Sequence, residues 1–323
     1  MSFTEKKKRG ISLIILVAGL FLLPLFFPNP ARIGMFISCA VASILAMGWL
    51  MILRIGCLSL GQAAFLAIGG YTSALLAQKA GISPWIGLLA GGAASGTVAL
   101  IIGMVVLRVR GLSLSIITFA FAEVVRLLLS TLEFFGGHGG ITGIPSFPPL
   151  NFPVLGRVRC DSPTAGYYIL LLILLVCGTV MWRMDRSALG RIFGALPQNE
   201  ALAESLGVHP LRYKMIGFVT ACFFAGMAGA FTAHYYNVLF PGNYTPIQSI
   251  MVQIQATVGG VTSVALGGLL GGSLMVMVES WLLNIDSRWV YIFYGSVILL
   301  VTFFLPEGLL SLPQKVKKVM KKN

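Results

Sequence analysis

Glu123 and Arg126 are ionisable residues deep inside an apolar stretch, residues 111–132. At 1.5 Å per residue, Glu123 lies about 18 Å into a helix that covers this stretch. Residues three apart meet on one face of a helix, so the two side chains are expected to pair. Charges this deep in a membrane span are costly and usually face the interior of a bundle. The pair therefore lies along a solute path or at a gate, or it is a buried pair that fixes helix packing.

Three amides also interrupt apolar runs: Gln62, Gln253 and Gln255. Each could line a solute path, or could hydrogen-bond a neighbouring helix, which the sequence favours. Gln62 and Gln253, together with Glu123 and Arg126, are the candidate residues of a translocation path.

Other kinds of chemistry find no support in the sequence. His138, His209 and His234 are far apart and lack the spacing of metal ligands. No Gly-rich stretch is followed by Lys and Ser or Thr, so an ATP site is not expected in this chain. No nucleophile is paired with a base, and the five cysteines are interpreted as small apolar residues. The sequence thus predicts no enzyme, no cofactor and no metal.

The composition places these residues in a membrane. Hydrophobic residues make up 57% of the 323 residues and charged residues only 10%, whereas soluble domains have about 25% charged residues. The mean hydropathy is +0.90. The net charge of +13 comes from residues near the ends of apolar runs, so it sets orientation and does not indicate nucleic acid.

The apolar runs predict an all-α, polytopic bundle that forms a single transmembrane domain over residues 1–323. Stripes of small residues, such as GQAAFLAIGGYTSALLA, allow close helix packing. The N-terminal run has no small-residue cleavage site and is expected to remain as the first span. About ten spans are predicted, with approximate bounds 11–28, 32–53, 62–79, 84–107, 111–132, 165–182, 214–236, 248–263, 267–284 and 289–305.

Basic residues predict that both termini are cytoplasmic. With the N-terminus inside, seventeen Lys and Arg residues lie on the inner side and five on the outer side, as the positive-inside rule requires. Residues 183–214 then form a cytoplasmic segment. Residues 133–163 form an outer loop, which either docks a partner, caps a path or only connects two spans.

The cytoplasmic segment 183–214 contains a predicted short helix, residues 198–206. Asn199 can cap its first turn and Gly207 can end it. Glu200 and Glu204 are four apart and share a face. A helix that lies on lipid would carry Lys or Arg there, so two acids favour docking to another protein.

Four motifs, in this order and spacing, resemble one known family over about residues 35–285. They are LSLGQAAFLAIGGYTSALLA at 58–77, GLSLSIITFAFAEVVRLLL at 111–129, GGITGIP at 139–145, and NEALAESLGV with the following RYK and FVTACFFAGMAGAFTAHY at 199–235. The similarity is to the permease subunits of branched-chain amino-acid ABC importers, of the LivM type.

The resemblance implies a subunit of an ATP-driven importer in a prokaryotic inner membrane. Its expected partners are a second homologous permease, two ATP-binding subunits that hold ATP and Mg, and an extracytoplasmic solute-binding protein. The resemblance also implies that Asn199–Val208 is the coupling helix, seated in a groove of an ATPase subunit. Its expected coupling residues are Asn199, Glu200, Ala201, Ala203, Glu204, Gly207 and Val208.

Two alternatives stay open. The same architecture could import urea, short amides or another small polar solute in place of a hydrophobic amino acid. A transporter that acts alone, without an ATPase, is the alternative from another class, and in it residues 183–214 would be an ordinary solvated loop.

Overall fold

The computed structural model describes residues 18–24, 26–27, 29–109, 111–152, 156–158, 162–305 and 308–311. Residues 18–24 and 26 are helical. The helices α1 to α11 that follow are Pro30–Arg54, Gln62–Ala80, Pro84–Val106, Leu112–Thr131, Pro163–Arg186, Ala188–Ala195, Glu200–Ser205, Pro210–Tyr236, Pro246–Gly259, Val264–Leu283 and Ser287–Phe304. The described chain is therefore almost entirely helical, as predicted.

Proline marks the first residue of five of these helices, α1, α3, α5, α8 and α9. Its fixed φ suits the first helical turn, and the N–H that it lacks would have had no partner within the helix. Of the helices that begin without proline, α6, α7 and α11 have side-chain caps, which Ser187, Asn199 and Asp286 supply.

Helices α1, α3, α4, α5, α8 and α10 are long and apolar enough to cross a membrane. Helices α2, α9 and α11 coincide with three further predicted segments without meeting that standard. The 14 residues of α9 rise only about 21 Å. Half of the predicted first segment, 11–28, falls outside the described residues. Ten spans and two cytoplasmic termini thus stay predictions.

The bundle has two ends that differ in structure. At the first, which we call the segment end, residues 183–214 lie beside the end of α1. Arg54 Nε donates to Asp185 Oδ1 at 2.9 Å. A cleft of about 250 Å³ at this end is lined by Leu50, Leu53, Arg54, Gly194, Pro197 and Val261.

The opposite end, which we call the loop end, contains residues 132–152, 156–158, 162 and 237–245. A two-residue strand β1, Ile141–Thr142, pairs antiparallel with β4, Val238–Leu239. Strands β2 (Leu150–Phe152) and β3 (Gly156–Val158) form a second antiparallel pair. The described part of the predicted loop 133–163 therefore contains short strands.

Helices α2, α3 and α8 pack closely against one another, and glycines bring their backbones together. A Cβ on Gly69 of α2 would lie 2.1 Å from the carbonyl oxygen of Gly226 in α8, and one on Gly229 would lie 1.9 Å from that of Leu66. Gly91 of α3 approaches Gly69 in the same way. The small-residue stripes seen in the sequence thus do allow close backbone packing.

Candidate functional site

Helix α7 at the segment end is a short helix whose two termini are both satisfied. The Asn199 Oδ1 accepts from the Leu202 N–H at 3.0 Å. Gly207 adopts φ +81°. The Val208 N–H then donates to the Ala203 carbonyl at 3.0 Å and the Gly207 N–H to that of Glu204 at 2.9 Å. This pair of bonds is the Schellman arrangement. The predicted cap and stop are present, and the helix is shorter than the predicted 198–206.

The exposed surface of α7 is more apolar than its two acids suggested. Ala201 and Glu204 are exposed, and Ala203 is buried against the rest of the chain. Leu202 and Leu206 are 58% and 76% exposed. Sequence reasoning missed these two leucines, although their spacing of four on a helix was a signal for a shared apolar face.

Glu200 pairs within the chain. Its Oε1 accepts from Lys214 Nζ, with 18% and 5% of the two side chains exposed. Lys214 belongs to the first turns of α8, so the pair joins α7 directly to a core helix. Glu204 is thus the more available of the two acids for a partner.

The rest of the segment 183–214 packs on the bundle. Phe193 at the end of α6 is fully buried, and Leu196 beside it is 1% exposed. Gly56, which follows α1, lies so close to Pro197 that a Cβ there would be 3.1 Å from its ring. This packing differs from the solvated loop that a transporter acting alone would have.

Glu123 and Arg126 pair on one face of α4, as their spacing predicted. Arg126 Nε donates to Glu123 Oε2 at 2.9 Å, and a second bond joins Arg126 Nη2 to Glu123 Oε1. In the single chain, 37% of the Glu123 side chain and 25% of the Arg126 side chain are exposed. The pair therefore does not pack in the centre of this chain's own core, and it lies on the flank of α4.

The other path candidates lie on α2 and α9. Gln62 is the first residue of α2 and is 0% exposed, yet among the described residues neither its Nε2 nor its Oε1 has a hydrogen-bond partner. Gln253 of α9 is half-buried. An unsatisfied buried polar atom costs about 1–3 kcal/mol, so Gln62 is unusual.

Gln255 makes the bond to a neighbouring helix that the sequence favoured. Its Nε2 donates to Tyr294 Oη in α11 at 2.8 Å. Tyr294 in turn donates to Glu279 Oε2 in α10 at 2.8 Å. Sequence reasoning missed Tyr294 and Glu279, because they come together only in the folded chain.

Two side chains near the end of α8, those of His234 and Asn237, join the loop end to the core. His234 is 1% exposed. One ring nitrogen lies 2.7 Å from Ser73 Oγ in α2, and the other lies 2.7 Å from the Pro145 carbonyl. Asn237 Nδ2 donates to the Ile144 carbonyl at 2.7 Å. The 141–147 part of the loop is thus joined to the core.

Comparison with known proteins identifies relatives of the whole bundle. Residues 32–302 match the family described as branched-chain amino acid transport system / permease component. The high-affinity branched-chain amino acid transport system permease protein LivM of Salmonella typhimurium is 31% identical over 283 residues. LivM of Escherichia coli is similar to the same degree. These alignments cover 82% of this chain and 66% of each relative, so the chain spans slightly less than two thirds of their length.

A more distant relative is named for a different cargo. The L-arabinose transport system permease protein AraH of Escherichia coli is 25% identical over 305 residues, which cover 90% of this chain and 89% of AraH. No solved structure matches the chain. Because the family match covers most of the chain, the protein belongs to the permease-component family of branched-chain amino acid transport systems and is a multi-pass inner-membrane protein.

Proposed function

We propose that this chain is a permease subunit of an ATP-driven importer, and that its cargo is a branched-chain or other hydrophobic amino acid. The observation that carries the proposal is the 31% identity to LivM over 82% of the chain. The folded segment 183–214 supports it, since a transporter without an ATPase has no need of a packed, capped helix there.

The proposed mechanism is alternating access. Leu202 and Leu206 offer an apolar surface by which α7 docks in a groove of one ATPase subunit. Two ATPase subunits, which hold ATP and Mg, close on each other and thereby move α7. The Glu200–Lys214 pair passes that movement to α8. A second permease completes the path, and a binding protein delivers the solute to the loop end. A conformational shift requires such differential contacts.

A sugar is the second candidate cargo, because AraH is similar over 90% of the chain. Hydrophobic amino acids and sugars both carry no net charge at pH 7, but they differ in how much apolar surface they have. Uptake competition separates them.

The first test is purification of the tagged chain in mild detergent from its native membrane. We expect ATPase subunits and a second permease to co-purify. Reconstituted in liposomes with its binding protein, the complex should take up labelled leucine only with ATP, and unlabelled isoleucine or valine should compete while arabinose and urea do not. A chain that moves solute alone and without ATP contradicts the proposal.

Coupling is tested on α7 itself. Leu206→Asp should lower ATP-dependent uptake at least tenfold, because it places a charge in an apolar contact, while the bundle stays folded. Ser205→Asp is the matched control: it adds the same charge at the neighbouring exposed position and keeps both leucines. Equal uptake by the two variants would exclude the apolar contact.

A further inference from the structure

Among the six helices that are long and apolar enough to cross a membrane, α4 is the one that its own chain covers least. Only 28% of its most apolar stretch is buried, against 78% in α1 and 67% in α8. One face packs on α2 and on the residues before it: Thr118 Oγ1 accepts from the Leu60 N–H at 2.9 Å, and the rings of Phe121 and Phe65 lie 5.6 Å apart. The opposite face is exposed in the described chain.

The exposed side of α4 includes a stripe of five residues, which we call the α4 face. Leu112, Ile116, Phe119, Glu123 and Arg126 are separated in turn by four, three, four and three residues. This alternation is the spacing by which one helix packs along another. The first three side chains are 76%, 68% and 37% exposed. The α4 face thus joins an apolar surface to the ion pair described above.

The ion pair lies well inside the apolar span. Glu123 is eleven residues from the first residue of α4 and eight from the last, which places it about 16 Å and about 12 Å from the two ends. The whole helix is about as long as the hydrocarbon core is thick. Charged side chains at such a depth are costly against lipid and normally face protein or water.

Arg126 is nearer to the outer end of α4 than Glu123 is, and a long side chain there can extend to the membrane surface. It turns back to Glu123 instead, and makes two bonds to that carboxylate. These bonds use two of the five N–H donors of the guanidinium. The charges therefore stay on the α4 face, with donors left for a further partner.

The exposed face of α11 shows what a surface suited to lipid looks like in the same chain. Ile292, Leu299 and Phe303 are 57%, 60% and 78% exposed. Arg288 is the one charged residue in the sequence of α11, and it lies in the first turn. Lipid suits that face, whereas the α4 face carries an ion pair that lipid does not solvate.

We propose that the α4 face is the surface on which the second permease subunit packs. This assignment rests on the proposed function as an importer permease. The partner's span is expected to carry apolar or small side chains opposite Ile116 and Phe119. At the depth of the ion pair it is expected to carry an amide or hydroxyl group, which can bond to Glu123 and Arg126.

The pair also argues against a second copy of this chain as the partner. Two copies in one membrane are related by a two-fold axis, and near that axis identical residues face each other. Glu123 would then lie beside the same carboxylate of the copy, and like charges repel strongly where the dielectric constant is low. A homologous permease with a neutral polar group at this depth avoids that repulsion.

The first experiment identifies what lies against the α4 face in the native membrane. Ile116 and Phe119 are replaced one at a time by the photo-crosslinking residue p-benzoylphenylalanine. Ile292 of α11, which is similarly exposed, is the matched control. After irradiation, mass spectrometry identifies the products. We expect both α4 positions to capture the permease that co-purifies with the parent chain, and Ile292 to capture no protein.

Three outcomes would overturn the proposal. A product that consists of two copies of the tagged chain would show that the partner is wrong. No protein product at either α4 position would show that lipid or water covers the face. The same permease captured equally well at Ile292 would show that the α4 face is not the surface that selects it.

The second experiment disturbs the surface without touching the core. Ile116→Trp enlarges a side chain that is 68% exposed, and Ile292→Trp does the same at 57%. Recovery of the second permease with the tagged chain should fall at least fivefold for Ile116→Trp and stay the same for Ile292→Trp. The melting temperature of the isolated chain should be equal in both. Equal recovery of the second permease would contradict the proposal.

The two proposals fail in different ways. If neither ATPase subunits nor a second permease co-purify with the parent chain, the importer function itself is wrong. If they co-purify and the α4 positions behave as Ile292 does, the function stands and the assignment of the α4 face is wrong.

Discussion

Two regions of α2 are equally buried and differently satisfied. Towards α3 and α8, Gly69 meets the backbone of Gly226, and Ser95 Oγ donates to the Phe65 carbonyl at 2.8 Å. Gln62 and Tyr71, by contrast, have polar side-chain atoms with no partner among the described residues, although they are 0% and 1% exposed. Burial alone therefore does not tell whether a polar group is satisfied.

The two regions differ in what separation of the helices would cost. Between α2 and α8, separation would lose the glycine contacts and the bond between Ser73 and His234. At Gln62 and Tyr71, contact with water would supply partners that the described residues do not. Helix α2 is thus expected to stay packed on α3 and α8.

The largest effect should come from disrupting the close contact between α2 and α8. Gly69→Ala places a methyl group where the Gly226 carbonyl oxygen is 2.1 Å away. Because backbone must shift, the free energy of unfolding in detergent should fall by about 3 kcal/mol. In Gly96→Ala the new methyl group meets atoms no nearer than 3.7 Å, and stability should stay the same or rise. Equal losses in both variants would contradict the packing described here.

An intermediate effect is expected from removing the hydrogen bond between Ser73 of α2 and His234 of α8. Ser73→Ala leaves a nitrogen of the buried His234 without its 2.7 Å partner, which should cost about 1–2 kcal/mol of unfolding free energy. Ser38→Ala is the control, because that hydroxyl donates to Gly34 within its own helix. If thermal unfolding gives the same shift for both, the His234 bond contributes nothing to holding α2 on α8.

The smallest effect is expected from removing the hydroxyl groups of two buried tyrosines, Tyr294 and Tyr71. Tyr294 binds both Gln255 and Glu279, so Tyr294→Phe should lower the free energy of unfolding by about 1 kcal/mol. Tyr71 Oη has no partner among the described residues, so Tyr71→Phe should be neutral or slightly stabilising. Chemical unfolding of the two variants in parallel gives the answer, and a loss for Tyr71→Phe equal to that for Tyr294→Phe would mean that its hydroxyl is satisfied.

Features that depend on neighbouring residues were predictable from the sequence. The Asn199 cap and the Gly207 stop follow from a few residues of local sequence, and the Glu123–Arg126 pair follows from helical spacing. The small-residue stripes likewise predicted close packing, because small residues let any neighbouring helix approach closely.

Features that depend on distant contacts were not predictable. Glu200 looked like a docking acid, and its partner Lys214 is fourteen residues away across a turn. Helix α9 was expected over 248–263 and ends at Gly259, because Gly260 takes φ +114° and breaks the helix. The apolar pattern continues through that break, so periodicity could not reveal it.

The glycine contacts also set the order in which the core can assemble. Helices α2 and α3 are joined by three residues, Gly81–Ser83, and leave the ribosome together, whereas α8 begins at Pro210. At about 10 residues per second, α8 follows α3 by about ten seconds. During that interval lipid contacts the glycine face of the α2–α3 hairpin. That face stays available until α8 packs on it.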